Sequence, residues 1–514
     1  MIDFPFAMAV FPATGNFGFS REPIRKIPGN QAGKKRLIFY PACGFVFFRV
    51  PVVLHGAYAG IGIHCPRENS VGNIIIVGFG SAGYAAVMAV KRADSRAAVT
   101  VLDPKHEDLM HPCGLPYALE GHVNSDHLVQ SINLHRMGVK KIKAQALRID
   151  GGARVIHARV DGDAIEVKYD TAILCTGSVP YVPPVKGATE TRDSGLFTLT
   201  NIADLERIRA RIKTAGAAIV IGAGAIGLET AVALKEYLPS VVVLEMKPQV
   251  LPGVLDPDMS RLVESYLESI GLELKLSTTA GEILSENGFA GVLSGGDRLE
   301  ADMGILSAGF RANTELARLS GIEHGDDGII VDESLATSLP GVYAAGDCIA
   351  GWSVIDGKRV PAKLATCAYK QGTTAGLNAA GKRAVYRGTA GTFVTKIGAL
   401  EVAGTGYTSG TAEICGYETV SGKITSNYLP EYFPGGSEVS IKIICDRASG
   451  RILGAQAIGE RGAAERINLI SMALEFGVSA GEFGRVELAY CPAVSEVHDP
   501  VFKAVEFAMR RMAR

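Results

Sequence analysis

The residue best placed to do chemistry in this sequence is Cys113, which lies in the run MHPCGLPY at positions 110–117. Most cysteines are small buried core residues with no chemical role. Here the adjacent Gly114, a helix start predicted at 115–116 and the neighbouring His111 are typical of an accessible thiol whose pKa is lowered by its surroundings. We therefore predict that Cys113 is a redox-active thiolate.

The segment ahead of this cysteine fits a dinucleotide-binding βαβ unit. An apolar strand predicted at 73–77 runs into GFGSAG, a helix is predicted at 84–93, and a second strand at 97–102 ends in an acidic residue. Such glycines allow a tight turn and a close approach of the backbone to a pyrophosphate, and the acid accepts ribose hydroxyls. The binding residues predicted in this unit are Gly78, Gly80, Ser81, Ala82, Gly83, Asp103 and Pro104.

The same pattern occurs a second time. A strand predicted at 217–221 leads into GAGAIG, a helix follows to Lys235, and a strand at 241–244 ends in Glu245. Two such units in one chain indicate two different nucleotides. An acid at the ribose position favours NADH because it repels a 2′-phosphate, although the nearby Lys247 leaves NADPH possible. The binding residues predicted here are Gly222, Gly224, Ile226, Gly227 and Glu245.

The composition limits the other classes of function. A chain of 514 residues is long enough for about three domains. Its 52 basic and 53 acidic residues form no basic stripe, so we expect no nucleic-acid partner. Nine cysteines without regular or CxxC spacing indicate free thiols in a reducing compartment, the cytoplasm, and no metal site.

The first 72 residues differ in pattern from the rest of the sequence. An apolar run at 37–48 follows Lys34-Lys35-Arg36, which is typical of a signal peptide or a membrane anchor. Against this interpretation, Pro41 interrupts the run, and the uninterrupted stretch falls short of the roughly 20 residues that a membrane span needs. We expect no membrane attachment, and we predict that residues 1–72 are an extension outside the fold.

The order of the motifs resembles a known family. Between and after the two units lie a strand ending in CTGS at 175–178 and the run GVYAAGD at 341–347. With these, residues 73–514 resemble the pyridine nucleotide–disulfide oxidoreductases. The resemblance implies an α/β fold with two Rossmann-like dinucleotide-binding domains, for FAD and NAD(P)H, plus a C-terminal α+β dimerisation domain that makes a homodimer.

The resemblance also implies domain boundaries and further binding residues. The FAD domain would comprise residues 73–187 and 313–388, the NAD(P)H domain 188–312, and the dimerisation domain 389–514. FAD would be held by the first unit together with Ala146, Thr176, Gly177, Gly346 and Asp347. NADH would be held by the second unit together with Glu229 and Gly309.

Within the family, Cys113 resembles the branch with a single redox cysteine. Ala118 stands where a paired cysteine would fall, and Ser81 stands where the peroxide-reducing and water-forming members have a histidine. The branch includes coenzyme A-disulfide reductases, NADH-dependent persulfide or polysulfide reductases and certain NADH oxidases. We therefore expect electrons to pass from NADH through FAD to Cys113 and on to a coenzyme A disulfide, persulfide or polysulfide. The alternatives are an NADH oxidase that reduces oxygen, and an electron-transfer or redox-sensing subunit of a complex.

The coenzyme A-disulfide reductases suggest which residues would contact that substrate. Arg92 falls where those enzymes have a phosphate-binding arginine, and Lys141 or Lys140 falls near a second basic contact. Leu109 and Pro112 stand where those enzymes have a serine and an asparagine, which leaves coenzyme A as a possible ligand only.

Three residues near the C-terminus complete the predicted catalytic set. Tyr432 and Tyr490 match tyrosines that reach the redox cysteine of the other subunit, and one of them would donate a proton to a leaving thiolate. Cys491 stands where relatives have a histidine. Two interpretations stay open for it: a resolving thiol that faces Cys113 of the other subunit, or a small packed residue before a proline.

Overall fold

In a computed structural model of the protein, the described residues are 72–360 and 362–513. The prediction about residues 1–72 therefore falls, apart from Gly72, outside the described part. No α-helix within that part is long and apolar enough to cross a membrane. Eleven α-helices occur in the described residues: α1 (Ser81–Ala93), α2 (Leu115–Glu120), α3 (Ile202–Ile212), α4 (Ala225–Lys235), α5 (Pro257–Ser269), α6 (Glu315–Leu319), α7 (Ala365–Ala379), α8 (Ser409–Ile414), α9 (Ala463–Glu475), α10 (Ala480–Phe483) and α11 (Pro500–Met512).

The first dinucleotide unit contributes two neighbouring strands to a five-stranded parallel sheet. The central strand has the sequence IIIV, and all four of its side chains are buried, as is typical of a parallel sheet covered on both faces. One edge strand, Val342–Ala344, comes from far along the chain. The domain is therefore formed by two separate segments of the sequence. In sheet order the strands are Val342–Ala344, Thr171–Leu174, Ile74–Val77, Val99–Leu102 and Val139–Ile142.

The second unit forms a sheet of the same kind. It is again parallel and five-stranded, with the strand that precedes the glycine loop at its centre. The predicted strand at 217–221 and the predicted helix ending at Lys235 are confirmed. In sheet order the strands are Leu196–Phe197, Met303–Leu306, Ala217–Ile221, Ser240–Leu244 and Glu273–Lys275.

The C-terminal part has a different architecture, a five-stranded antiparallel sheet with α9 and α11 packed on it. The last helix of the described residues is α11. Its start is fixed by Pro500 in the first turn and by Asp499, whose carboxylate accepts the Val501 amide. In sheet order the strands are Phe393–Ile397, Leu400–Gly406, Ile452–Gly459, Glu438–Asp446 and Thr419–Asn427.

The remaining strands form small antiparallel sheets at the edges of these domains. Two have three strands: Gln145–Asp150, Val155–Val160 and Asp163–Lys168, and Glu282–Ser285, Phe289–Ser294 and Asp297–Glu300. Four have two strands: Leu109–Met110 with Val129–Gln130, Ser178–Pro180 with Phe310–Ala312, His324–Gly325 with Gly328–Ile329, and Gly351–Trp352 with Arg359–Val360. Short 3₁₀ turns occupy Pro112–Gly114, Ser125–Leu128 and His135–Met137.

Helix α2, the short helix that follows Cys113, packs against the second unit although its sequence position lies in the first. By sequence, α2 belongs to the first nucleotide-binding segment. Its buried side chains Leu115, Ala118 and Leu119 instead join the hydrophobic cluster of the second unit, together with Leu228 and Val232 of α4. Cys113 therefore lies directly ahead of a helix that packs against the second unit.

Candidate active site

The first glycine loop is tight against the protein and open on its outer side. Gly78 has a φ of +96°, and a Cβ there would lie 2.2 Å from the carbonyl oxygen of Cys175. A Cβ at Gly83 would lie 2.1 Å from the carbonyl oxygen of Gly78, whereas a Cβ at Gly80 would meet nothing within 4 Å. Ser81 and Ala82 begin α1 directly after this opening. The space beside Gly80 and the free amides of the helix start suit a pyrophosphate.

Asp103 lies at the end of its strand with both carboxylate oxygens held. It accepts the Phe79 amide at 2.6 Å and the Lys105 amide at 2.8 Å, and it is almost completely buried. These two bonds fix the carboxylate beside the glycine loop, where its remaining lone pairs can accept ribose hydroxyls. Pro104 is exposed next to it, and Ala146 packs against the core of this domain.

The second glycine loop repeats this arrangement. Cβ atoms at Gly222 and Gly227 would lie 2.3 Å from the Ser307 carbonyl oxygen and 2.0 Å from the Gly222 carbonyl oxygen, and a Cβ at Gly224 would meet nothing within 4 Å. Glu245 accepts the amides of Ala223 and Lys247, both at 2.9 Å. Ile226 is partly exposed in the first turn of α4, and Gly309 turns with a φ of +101° beside open space. The second unit therefore also fits a dinucleotide.

The residues expected to surround a flavin are joined by hydrogen bonds. The Thr176 hydroxyl donates to the Asn313 carbonyl at 2.7 Å, and the Asn313 amide donates to the Gly177 carbonyl at 2.9 Å. Ser178 donates to Asp347 at 2.9 Å. Burial raises the pKa of Asp347, against the effects of Ser178 and Lys363.

Two further residues support the flavin region, and sequence reasoning did not single them out. Ser178 holds the Asp347 carboxylate, and Gln371 of α7 accepts the Gly346 amide at 2.8 Å through its side-chain oxygen. Ser178 directly follows the CTG run, which was a usable signal. Gln371 lies inside an otherwise ordinary helix, and nothing in its sequence surroundings marks it.

Cys113 lies in the 3₁₀ turn that leads into α2, and it is an exposed free cysteine. The prediction that the surroundings lower the pKa of Cys113 is wrong, because the protein groups around the thiol raise it. Partial desolvation of the thiol raises its pKa first, the carboxylates of Glu229 and Asp347 raise it further, and only a local backbone hydrogen bond acts the other way. The charges that act on the thiol are thus carboxylates from both nucleotide-binding units.

Glu229, predicted to hold the nicotinamide nucleotide, contacts the helix of the cysteine. One of its carboxylate oxygens accepts the Tyr117 hydroxyl at 3.1 Å and also accepts the Thr395 hydroxyl. Desolvation is the main cause that raises the pKa of Glu229, and burial followed by the charge of Glu229 raises the pKa of Tyr117 to about 12. Sequence reasoning missed Tyr117 and Thr395.

The predicted C-terminal residues lie together on an exposed segment. The hydroxyls of Tyr432 and Tyr490 are 3.1 Å apart and hydrogen-bonded, and this bond raises the pKa of Tyr490. Cys491 is exposed, so it is not packed within its own chain. Val494 and Val497 nearby are each more than two-thirds exposed. Exposed apolar side chains of this kind are typical of a surface that another chain covers.

The two basic residues predicted to contact substrate differ in availability. Arg92 is exposed in the last turn of α1. The ammonium of Lys141 instead donates to the Glu107 carbonyl at 2.7 Å and pairs with Asp108 at 3.1 Å. Lys141 therefore holds the loop at 106–108, and Lys140 beside it is the exposed one. No cluster of metal-ligating side chains occurs in the described residues.

Comparison with known proteins agrees with this geometry over nearly all of the described chain. Residues 72–372 match the family described as pyridine nucleotide-disulphide oxidoreductase, and residues 392–500 match its dimerisation domain. The chain is 34% identical to an NADH oxidase of Methanocaldococcus jannaschii, over 85% of this chain and 99% of that protein. It is 30% identical to an NAD(P)H coenzyme A polysulfide/persulfide reductase of Pyrococcus horikoshii, over 84% and 98%.

Solved structures show the same relationship. An NAD-dependent persulfide reductase from A. fulgidus superposes with a TM-score of 0.83 at 31% identity, covering 86% of this chain and 84% of that one. The expected α/β fold with two nucleotide-binding domains is confirmed. The chain therefore belongs to the pyridine nucleotide-disulphide oxidoreductases, as an FAD-dependent enzyme that uses NAD(P)H and carries a C-terminal dimerisation domain.

Proposed function

We propose that this enzyme reduces a small sulfur compound, a coenzyme A disulfide, a persulfide or a polysulfide, through the single thiol of Cys113. One observation carries the proposal: this exposed thiol lies within electrostatic reach of Asp347 in the flavin motif and of Glu229 on the helix of the second unit. Relatives named for coenzyme A-dependent sulfur and persulfide reduction support the substrate class.

Residues of the two glycine loops and their neighbours would bind the two nucleotides of this reaction. When bound, FAD supplies the relay of an electron pair from reduced nicotinamide to sulfur. Gly80 and Asp103 would bind its pyrophosphate and ribose, and Asp347 its ribityl chain. Gly224 and Glu245 would bind the nicotinamide nucleotide, with NADH preferred over NADPH because of the carboxylate.

The thiol step balances without a further reactant. The Cys113 thiolate attacks one sulfur of the acceptor R–S–S–R′, which forms Cys113–S–S–R and releases R′S⁻. The electron pair then cleaves the mixed disulfide, which restores the Cys113 thiolate and releases RS⁻. The Tyr490 or Tyr432 hydroxyl of a second copy would protonate a departing thiolate, and the raised pKa of Tyr490 keeps that proton available.

The substrate's recognition would use the exposed basic residues of the first unit. Arg92 at the end of α1 is positioned for a phosphate group, such as one of coenzyme A, and Lys140 is exposed on a neighbouring strand. Lys141 is engaged with Asp108, so it contributes less to binding. Mass spectrometry of the non-reduced protein tests this step, because a coenzyme A adduct on Cys113 would identify the acceptor class directly.

A second candidate function is reduction of oxygen, since the M. jannaschii relative is named an NADH oxidase. A redox-sensing or electron-transfer subunit is the third interpretation, and it predicts low turnover alone together with stable co-purification of another polypeptide.

Cys113→Ser separates these functions, with Cys415→Ser as a matched control because Cys415 is also a free cysteine with some exposure. We expect the Cys113 variant to lose disulfide- and polysulfide-dependent NADH oxidation while it keeps FAD. The control should retain both. Sulfur reduction that survives in Cys113→Ser would contradict the proposal, and oxygen consumption that disappears with it would assign the oxidase reaction to the thiol as well.

The domain division at 73–187 with 313–388, 188–312 and 389–514 is supported by the membership of the three large sheets. A cytoplasmic location is supported by the free cysteines of the described residues. Cys491 as a resolving thiol is supported by its exposure, and unchanged turnover of Cys491→Ser on every disulfide and polysulfide tested would remove that role.

A further inference from the structure

The Glu229 carboxylate joins three parts of the chain at one oxygen atom. Glu229 lies on α4, two positions after the last glycine of the second loop. Its acceptor oxygen receives the hydroxyl of Tyr117 from α2 at 3.1 Å and the hydroxyl of Thr395 from the dimerisation sheet. The backbone amide of Lys396 in turn donates to the Tyr117 oxygen at 3.3 Å. The side chain of Tyr117 is thereby fixed at both sides.

The same carboxylate acts on the redox thiol. Its charge is among the causes that raise the pKa of Cys113, second after desolvation and ahead of Asp347. Desolvation also raises the pKa of Glu229 itself, and the hydrogen bonds from Thr395 and Tyr117 oppose that rise. The two hydroxyls therefore favour the charged form of a carboxyl group whose charge disfavours the Cys113 thiolate.

Other charged groups on the surrounding segments have partners of their own. Glu120 pairs with His122 at 3.3 Å, although its charge also raises the pKa of Glu229. Arg209 donates to the Ala118 carbonyl and pairs with Glu206. The ammonium of Lys396 donates to two backbone carbonyls. Further titratable side chains on these segments are His111, Asp126, His127 and Lys235. The side-chain charges that raise the pKa of Cys113 are instead those of the Glu229 and Asp347 carboxylates.

We propose that Tyr117 is a positioning residue: together with Thr395 it fixes the Glu229 carboxylate against the helix that directly follows Cys113, and the carboxylate held there controls the reactivity of the Cys113 thiol. The inference rests on the proposed function only in taking Cys113 as the reactive thiol. The tyrosine that follows the cysteine by four residues thus controls it indirectly, through an acid on the helix of the other nucleotide-binding unit.

The test measures alkylation of Cys113 by iodoacetamide in the FAD-bound enzyme across pH, with the Cys113 peptide quantified by mass spectrometry. Because the thiolate is the nucleophile, Glu229→Gln should raise the alkylation rate at pH 7 by about threefold or more. Tyr117→Phe and Thr395→Val should raise it by smaller factors, since each removes one donor that favours the charged carboxyl. In the Glu229→Gln background, Tyr117→Phe should have no further effect.

A matched control is available at another contact of α2. Tyr237 donates its hydroxyl to the Glu120 carbonyl at the far end of α2, at 3.3 Å, without contacting a carboxylate. Tyr237→Phe should leave the alkylation profile unchanged. A shift as large as that of Tyr117→Phe would show that general loosening of α2 is responsible and would overturn the proposal.

Two further outcomes would also overturn it. One is an equal effect of Tyr117→Phe with and without the Glu229 carboxylate. The other is an unchanged profile in Thr395→Val, which serves as the test if the Glu229 variant does not fold. The proposed function fails independently, if Cys113→Ser retains sulfur reduction, because the alkylation profile does not depend on turnover.

Discussion

The two nucleotide-binding units are alike at their loops and different on the outer faces of their helices. In both, a Cβ at the first or third glycine would collide with a backbone carbonyl oxygen, whereas the second glycine faces open space. In both, the acid at the end of the second strand accepts two backbone amides in equivalent positions. The requirement for a dinucleotide has thus produced the same local geometry twice.

The helices that follow these loops are used differently. Helix α1 packs against α7 so closely that a Cβ at Gly372 would lie 2.1 Å from the Ala82 carbonyl oxygen. Helix α4 instead carries Glu229, which contacts the helix of the redox cysteine and the dimerisation sheet. The helix of the first unit therefore packs closely on another helix, whereas the helix of the second unit is hydrogen-bonded to α2 and to the dimerisation sheet.

The largest effect is expected where α1 meets α7. Gly372→Val should prevent the close approach of the two helices, at a cost of about 3 kcal/mol or more, because the clash is with backbone atoms. We expect loss of bound FAD and a strong decrease in the midpoint of thermal unfolding. Gly410→Val in α8, where nothing lies within 4 Å, is the control. Normal flavin content in Gly372→Val would disprove the tight packing.

The second glycine of each loop offers a test of which unit binds which nucleotide. Gly80 and Gly224 both have negative φ, so alanine fits the backbone at each. Gly80→Ala should weaken FAD binding by tenfold or more, about 1.4 kcal/mol, and Gly224→Ala should weaken nicotinamide nucleotide binding to a similar extent with FAD retained. Flavin content and the KM for NADH are the measurements. Loss of FAD in Gly224→Ala would contradict the assignment of the units.

The acid of the second unit should govern the choice of nucleotide. Glu245→Gln removes the charge that repels a 2′-phosphate, so kcat/KM for NADPH relative to NADH should rise about tenfold, or about 1.4 kcal/mol. Glu236→Gln, an exposed acid at the end of α4, provides the control. An unchanged ratio in Glu245→Gln would show that Glu245 serves the loop backbone and has no part in selection.

The smallest effect is expected at the ionic contact between the second unit and the dimerisation sheet. Burial alone would raise the pKa of Asp258, but Lys442 at 2.8 Å and Lys423 at 3.1 Å hold it below its usual value. Because Asp258 is partly exposed, Asp258→Asn should cost about 0.5–1 kcal/mol at pH 7.

The pH dependence of this cost follows from the direction of the shift. A carboxyl whose pKa is lowered in the folded protein stabilises it above the ordinary value of about 3.9 and ceases to do so as the pH falls through the lowered value. The difference in unfolding midpoint between Asp258→Asn and the unmodified enzyme should therefore be full at pH 7 and should shrink below about pH 4. A difference that grows on acidification would contradict the ion pair, and Asp297→Asn on the exposed surface should show no trend.

Local signals in the sequence predicted much of this fold. Both βαβ units were found within a few residues of their bounds, because glycine spacing and an apolar strand are short-range patterns. The strand predicted at 217–221 and the helix end predicted at Lys235 agree with the structure to the residue.

What the sequence did not predict depends on contacts between distant segments. The sequence around Cys113 indicated a helix start and a histidine, whereas the charges that act on the thiol come from Glu229 and Asp347, far along the chain. Tyr117 and Glu229 meet across 112 residues, and no periodicity reports such a contact. Lys141 was expected to be available, and only the folded loop shows that Asp108 occupies it.

The packing of α2 against α4 has a consequence for the design of chimeric enzymes. A chimera that exchanged the second nucleotide unit alone would replace the side chains against which Leu115, Ala118 and Leu119 pack, and it would replace the segment that carries the acceptor of Tyr117. A functional exchange between relatives therefore has to include more than one Rossmann domain. Helix α2, which follows Cys113, and helix α4, which carries Glu229, should be exchanged together.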